Sequence, residues 1–161
     1  MSEQKKYLLK SDEIKAMEQS FAHPWNPKSE IKGARMGLAT GLERTGVNIA
    51  TVPPGKESFV YHSQFTEEEW IYVLSGIGLA EIDGEEYEVE PGDFIGFPTG
   101  VAHNMKNPGN EDLVYLVGGE NNQFDIADFP KHGRVLVKMG SKIDVYEKSD
   151  AKDFWTLSKQ D

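Results

Sequence analysis

From Val47 onward, short runs of strand-forming residues alternate with turn residues along the chain. The runs are rich in β-branched and aromatic residues, and glycine, proline and acidic residues separate them, which is typical of all-β proteins. Asp83 and Gly84 lie between two runs and favour a type I′ hairpin, because both central residues of that turn need positive φ. No helical pattern stands between the runs to connect parallel strands. The sequence therefore predicts an antiparallel β-barrel or sandwich.

The chain before the first strand is expected to form an arm that must lie on another surface, which in a small barrel is often a second subunit. One short helix is predicted there, from Asp12 to Ser20, with Ser11 as its N-cap and acidic residues in its first turn. We divide the 161 residues into an N-terminal arm (1–46), a barrel domain (47–140) and a C-terminal tail (141–161).

Apolar side chains recur along this arm, and the surface of a small barrel would not cover all of them. A second copy of the chain would supply the missing cover, so we predict a homodimer. The apolar arm residues are Phe21, Trp25, Ile31, Met36 and Leu38.

Composition limits the partners and the chemistry. The formal net charge is -10, with 17 Lys and Arg against 27 Asp and Glu, which opposes binding to nucleic acid. No apolar run is long enough to cross a membrane, and the charged N-terminal segment shows no secretory signal, so we expect a cytoplasmic location. The chain has no cysteine, which leaves His, Asp, Glu and neutral oxygens as candidate metal ligands.

A first group of polar residues lies on two successive predicted strands. His62 and Gln64 are two residues apart and point to the same side of a strand, so both can face the barrel interior. Glu69 begins the next strand, which ends at Gly76 and would bring its carboxylate to the same interior. Glu68 is the alternative carboxylate. Gln64 either joins this site or hydrogen-bonds backbone groups.

A second group follows with Gly92, Pro98, Gly100, His103 and Asn107. Its glycines and proline are interpreted as turn formers that let His103 project inward.

Together the two groups resemble the two signature motifs of the cupin superfamily. The second group matches its motif at each position. The first group departs from its motif at two positions. Gln64 stands where the family has a second histidine, and the opening glycine, Gly55, lies one residue earlier than the motif spacing places it. The resemblance covers Gly55 to Asn107 and implies a cupin jelly-roll barrel.

The resemblance also implies a metal site. It makes His62, Glu69 and His103 ligands, with Gln64 at the remaining ligand position. Imidazole and carboxylate suit one divalent ion such as Mn, Fe, Ni or Zn, with positions left open for water or substrate. No residue is assigned a catalytic role by the sequence.

Other residues near the motifs are predicted to be structural or remote from the site. His23 and His132 are expected on the surface. The aromatic residues expected in the core are Trp70, Tyr72, Phe94 and Phe97.

The predicted function is a metal-binding cupin that acts on or binds a small polar molecule, such as a sugar, sugar phosphate or hydroxy acid. As an enzyme it would be an isomerase, dioxygenase or decarboxylase, since a divalent ion can chelate two substrate oxygens and polarise a carbonyl, which serves isomerisation, decarboxylation or oxygen activation. Cupin phosphomannose isomerases also use a glutamine ligand, although they set it before the histidine. Lys106, the nearest basic residue, is predicted to face away from the interior. The sequence therefore offers no basic side chain near the motifs to bind the phosphate group of a substrate. The alternative is a non-catalytic sugar-binding or ligand-binding sensory module, because Glu67 and Glu68 are the only candidate general bases near the motifs.

Overall fold

The computed structural model describes residues 6–157, which form thirteen β-strands and two short α-helices. The helices are α1 (Ser11–Ala16) and α2 (Met36–Ala39), and a 3₁₀ turn spans Lys148–Asp150. The strands are β1 (Gln19–Phe21), β2 (Ile31–Arg35), β3 (Thr45–Val52), β4 (Ser63–Gln64), β5 (Glu69–Ser75), β6 (Gly78–Ile82), β7 (Glu85–Val89), β8 (Phe94–Phe97), β9 (His103–Lys106), β10 (Leu113–Glu120), β11 (Phe124–Phe129), β12 (Arg134–Met139) and β13 (Lys142–Glu147). No helix among these residues is long and apolar enough to cross a membrane.

The strands form three sheets, and each pairing between them is antiparallel. The large sheet has the order β1-β2-β3-β10-β5-β8, the second β13-β12-β11-β4, and the third β7-β6-β9. The predicted antiparallel all-β fold is therefore confirmed.

The hairpin predicted at Asp83-Gly84 joins β6 to β7. Both turn residues have positive φ, 47° at Asp83 and 88° at Gly84, as a type I′ turn requires. The strands pair from Ile82 opposite Glu85 outward. This local signal was sufficient because the turn chemistry alone sets the register of a two-residue hairpin.

The main core lies between the large and the third sheet. Alternate residues of each strand point into it, so that Val52, Val73, Met105 and Leu113 are almost fully buried. A smaller core of Val60, Ala127 and Phe129 lies beside the second sheet.

The arm adds strands to the barrel. β1 pairs with β2, and β2 pairs with β3, so residues before 46 extend the large sheet. At the other end, β13 pairs with β12 beyond residue 140. The division into arm, barrel and tail remains a prediction, although β3 spans the first proposed limit and the pairing of β12 with β13 crosses the second.

The predicted N-terminal helix is wrong in its extent. It ends at Ala16 instead of Ser20, because Gln19–Phe21 is taken up as a strand beside β2. The N-cap is Lys10 and not Ser11; the Lys10 backbone N–H donates to the Glu13 carboxylate at 2.8 Å. Pairing with a sheet edge thus overrides the local helical signal.

Two of the four aromatic residues predicted in the core are exposed. Phe97 is buried, at 3% exposure, but Tyr72 is 40% and Phe94 65% exposed. Trp70 is half-buried. Strand alternation explains the difference, because Tyr72 and Phe94 are opposite one another and occupy outward positions of β5 and β8.

Candidate metal centre

Three ionisable side chains of the two motifs converge inside the barrel. His62 precedes β4, Glu69 begins β5, and His103 begins β9. One nitrogen of each imidazole and one oxygen of the carboxylate all lie within 4.8 Å of one another. Glu69 Oε2 is 3.1 Å from His103 Nε2 and 3.7 Å from His62 Nε2.

Backbone pairing fixes the spacing of the two histidines. The His103 N–H donates to the His62 carbonyl at 2.8 Å, and the His62 N–H donates to the His103 carbonyl at 3.2 Å. The two rings therefore start from neighbouring backbones, with centroids 4.8 Å apart.

Each imidazole is oriented by a carbonyl two residues earlier. His62 Nδ1 lies 2.7 Å from the Val60 oxygen, and His103 Nδ1 lies 3.1 Å from the Val101 oxygen. A carbonyl only accepts, so each Nδ1 carries the proton and donates it. Each Nε2 faces Glu69 Oε2, so it donates to that carboxylate when it carries a proton, and a neutral ring offers its lone pair to a metal ion there instead.

Aromatic rings hold both imidazoles from the side. Phe97 stacks on His103 with centroids 3.7 Å apart and planes at 7°. Phe129 lies against His62, with centroids 5.9 Å apart and planes at 28°. These contacts restrict ring rotation and add to the orientation given by the carbonyls.

Glu69 is an ionised carboxylate in a largely enclosed position. Burial raises the pKa of Glu69, but hydrogen bonds and charge from His103 and His62 outweigh it and lower that pKa to about 2. Its side chain is 22% exposed, against 9% for His103 and 12% for His62.

Gln64 completes the group, and one of its atoms lacks a partner. Gln64 Nε2 donates to Glu69 Oε2 at 3.1 Å. Gln64 Oε1 is buried and has no hydrogen-bond partner in the described part of the chain. If the Gln64 amide were rotated so that Oε1 and Nε2 exchange places, Oε1 would face the Glu69 carboxylate. Two hydrogen-bond acceptors would then meet with no proton between them. A cation between these groups would satisfy Gln64 in that orientation, so the four side chains fit a divalent ion.

The neighbouring acidic residues have different roles. Glu67 is buried, and its Oε1 accepts from Lys138 Nζ at 2.5 Å and from the Asn122 N–H at 2.8 Å. Glu68 is exposed. Among the three adjacent glutamates, Glu69 is the one that joins the histidines, as the spacing to Gly76 had indicated.

Two further histidines lie outside this group but are not surface residues. His23 and His132 are half-buried. The His23 ring packs edge-on against Phe59, with centroids 4.5 Å apart, and Phe59 in turn contacts His62 at 5.4 Å. Burial, and then charge repulsion from His132 and His62, lowers the pKa of His23. No residue pattern predicts this contact, because it joins the arm to the barrel.

Comparison with known proteins decides the family. A family model described as a cupin domain matches residues 48–119. A solved structure of a candidate sugar phosphate isomerase from Acidithiobacillus ferrooxidans is 35% identical, with a TM-score of 0.87 over 92% of this chain and 97% of that one. The chain belongs to the cupin superfamily. A sugar phosphate isomerase of the cupin superfamily from Silicibacter pomeroyi is also similar, at 25% identity and a TM-score of 0.71, covering 75% of this cupin and 78% of that chain.

A curated relative is named for a different small ligand. The oxalate-binding protein of Thermotoga maritima is 34% identical over 65 residues, which is 40% of this cupin and 53% of that protein. The match thus spans about half the length of that relative.

Proposed function

We propose that this cupin holds one divalent ion, Mn, Fe, Ni or Zn, through His62, Glu69 and His103, with Gln64 as a fourth ligand. The proposal depends above all on one nitrogen of each imidazole and one carboxylate oxygen that lie within 4.8 Å of one another. Such an ion, when bound, polarises oxygen atoms of a ligand and supplies open coordination positions.

The charge of the four side chains favours an oxygen-rich or anionic ligand. Two neutral imidazoles, one neutral amide and one carboxylate leave a divalent ion with a net positive charge. These four side chains would orient the ion and its ligand, and Glu69 is the one negatively charged group among the four.

The proposed ligand is a small molecule with two adjacent oxygens, such as a sugar, sugar phosphate or hydroxy acid. The names of the relatives support this class, because a sugar phosphate and oxalate both carry vicinal oxygens. A phosphorylated ligand has less support from the site. Lys106, the nearest basic residue in the second motif, is engaged by Glu81 at 2.9 Å and Glu86 at 2.6 Å.

A non-catalytic binding module is the second candidate. Its support is the hydrogen bonding of Glu67, whose carboxylate is held by Lys138 and so is not poised as a general base. Under this alternative the centre recognises the ligand without converting it.

Elemental analysis after metal loading tests the centre itself. We expect about one ion per chain, and loss of that ion in the His62→Ala/His103→Ala double variant. The matched control is His23→Ala/His132→Ala, which removes two histidines outside the centre and should leave the stoichiometry unchanged. Equal stoichiometry in both double variants would contradict the assignment.

A ligand panel tests the function. Metal-loaded protein is titrated with sugars, the corresponding sugar phosphates, hydroxy acids and oxalate, and each mixture is assayed for product. Turnover supports an isomerase, dioxygenase or decarboxylase, whereas saturable binding without product supports the module. Binding of equal strength to metal-free protein would contradict the metal-dependent proposal. Cytoplasmic location and homodimer formation remain predictions alongside it.

A further inference from the structure

Two polar residues of the large sheet lie on its inner face, in a row of residues that runs beside the metal centre. Residues directly opposite one another on neighbouring antiparallel strands point to the same face. Ile71 of β5 lies opposite Val117 of β10, which lies opposite Asn48 of β3. Asn48 in turn lies opposite Arg35 of β2. Ile71 is buried in the main core, so this inner row faces the barrel interior and ends in two polar residues.

Glu69 lies one row nearer the mouth of the barrel, by which we mean the end that holds the metal centre. It precedes Ile71 by two residues and therefore points to the same inner side. Its neighbours across the sheet are Gly119 and then Gly46. A Cβ on Gly119 would lie 3.0 Å from Glu69 Cγ. A Cβ on Gly46 would meet only the Gly119 carbonyl oxygen among the described residues, at 3.8 Å, so open space remains beside Glu69.

Arg35 has no acidic partner in the described chain, although acidic residues are abundant. The sequence holds 27 Asp and Glu against 17 Lys and Arg. Arg134 pairs with Glu147, but none of the ion pairs among residues 6–157 involves Arg35. Its side chain is exposed. A guanidinium in this state is available to an oxyanion, which it binds through two parallel hydrogen bonds.

We propose that Arg35 binds the anionic end of a ligand whose other end is held by the metal ion, an inference that rests on the proposed function. Strands about 4.8 Å apart and a rise of about 3.3 Å per residue separate the Arg35 and Glu69 Cα atoms by roughly 16 Å along the sheet. The long Arg35 side chain covers part of this distance, and the Glu69 side chain with its ion covers another part. The gap that is left, over Gly46, suits a molecule of a few carbon atoms. The ligand therefore has vicinal oxygens at one end and a carboxylate or phosphate at the other.

Asn48 adds a neutral hydrogen-bonding group between the two ends of such a ligand. It is half-buried and stands between Arg35 and the apolar Val117 in the inner row. Its amide both donates and accepts, so it can bind a hydroxyl or a carbonyl oxygen of the ligand. The two motifs have no basic side chain for an anionic group, and strand pairing brings Arg35 to the barrel from the arm instead.

Calorimetric titration of the metal-loaded full chain with three related probes tests the proposal. Glycerate offers the ion a carboxylate and an adjacent hydroxyl. Malate adds a second carboxylate to this chelating end, and phosphoglycerate, phosphorylated on the terminal hydroxyl, adds a phosphate. The wild type should bind malate or phosphoglycerate at least about tenfold more tightly than glycerate. The tighter of the two identifies the oxyanion that Arg35 recognises.

Arg35→Gln should abolish this preference and leave the glycerate affinity and the bound metal largely unchanged. The matched control is Lys32→Gln, which removes the same charge from the same strand but from its outer face, where Lys32 pairs with Glu18. This control should keep the preference. Gly46→Val fills the open space beside Glu69 and should weaken the two longer probes at least about tenfold without releasing the ion.

Several results would overturn the inference, and circular dichroism shows whether each variant is folded. Equal affinity of the metal-loaded wild type for all three probes is one. A folded Arg35→Gln variant that keeps the preference is another, as is a Lys32→Gln variant that loses it equally or a Gly46→Val variant that binds the longer probes normally. Elemental analysis separates these results from a failure of the proposed function, because a wild type that takes up no ion would overturn both.

Discussion

At the residue scale, Gln64 is the side chain that distinguishes this centre from one with three histidines. Its Nε2 lies 3.1 Å from Glu69 Oε2, while its Oε1 is buried without a partner. Replacing imidazole by amide keeps the charge of the site but exchanges a nitrogen ligand for a harder oxygen. Softer ions should lose more affinity by this exchange than Mn.

The Gln64→His variant should therefore bind Ni and Zn at least about tenfold more tightly, or roughly 1.4 kcal/mol, and gain less for Mn. Competition titrations with each ion measure the change. Phe65→His is the control, because it adds an imidazole at an exposed neighbouring position outside the centre. Equal gains for all ions, or none, would show that Gln64 is a structural residue.

Acidification should weaken metal binding through the two imidazoles and not through Glu69. The pKa of Glu69 is lowered to about 2, so its carboxylate stays ionised at any milder pH. Each Nε2 must be free of a proton to bind the ion, so protons displace metal as the pH falls. Affinity should drop by up to about a hundredfold per pH unit in the acid range, with release of about two protons per ion bound. Calorimetry between about pH 5 and 8 in buffers of different ionisation enthalpy checks this; a pH-independent affinity would contradict it.

The sequence predicted which residues meet at the centre but not how they are held. The motif spacing brought His62, Glu69 and His103 together, and it favoured Glu69 over Glu68. The carbonyls of Val60 and Val101 carry no side-chain signal, because any residue supplies a carbonyl and only the backbone path decides where it points.

At the element scale, the end of β5 depends on Gly76. Its φ is +81°, and an added Cβ would lie 2.3 Å from the Asp112 carbonyl oxygen, which belongs to the backbone and cannot swing away. A residue with a side chain at position 76 would therefore suffer both from the positive φ and from the close contact with the backbone.

Gly76→Ala should lower the free energy of unfolding by about 2 to 4 kcal/mol. The control is Gly55→Ala, where φ is +75° but no heavy atom lies within 4 Å of the added Cβ. That variant should cost only about 1 kcal/mol from backbone strain. Urea unfolding of both variants measures the difference, and equal costs would show that the contact with Asp112 yields easily.

Elements determined by local chemistry were predictable, and those determined by distant partners were not. The Asp83-Gly84 turn was predicted correctly because its residues impose φ by themselves. The helix from Asp12 was predicted too long because the pairing of Gln19–Phe21 with β2 is a tertiary contact. Exposure of Tyr72 and Phe94 was missed for the same reason, since a strand's apolar residues do not reveal which face is covered.

At the scale of the whole molecule, the net charge opposes the homodimer predicted from the apolar residues of the arm. Each copy carries a formal charge of -10, so two copies repel one another even where their contact is apolar. Raising the ionic strength from about 10 mM to about 150 mM shortens the Debye length from about 30 Å to about 8 Å. The predicted dimer should consequently tighten at least about threefold with salt. Sedimentation at both ionic strengths measures this, and weaker association at higher salt would point to ion pairs across the interface.

The pairing of β3 with β10 also has a consequence for how the chain folds. Leu113 lies opposite Val52, and Glu120 lies opposite Thr45, so both motifs are enclosed in the loop that this pairing closes. Closing so long a loop is entropically unfavourable and is slow compared with forming a hairpin such as that at Asp83-Gly84. During synthesis, the strand that carries Glu69 cannot gain its β10 neighbour until the ribosome has released residues well beyond His103. The side chains proposed to bind the metal are thus all synthesised before the sheet that supports Glu69 can form, so ion capture would come late in folding.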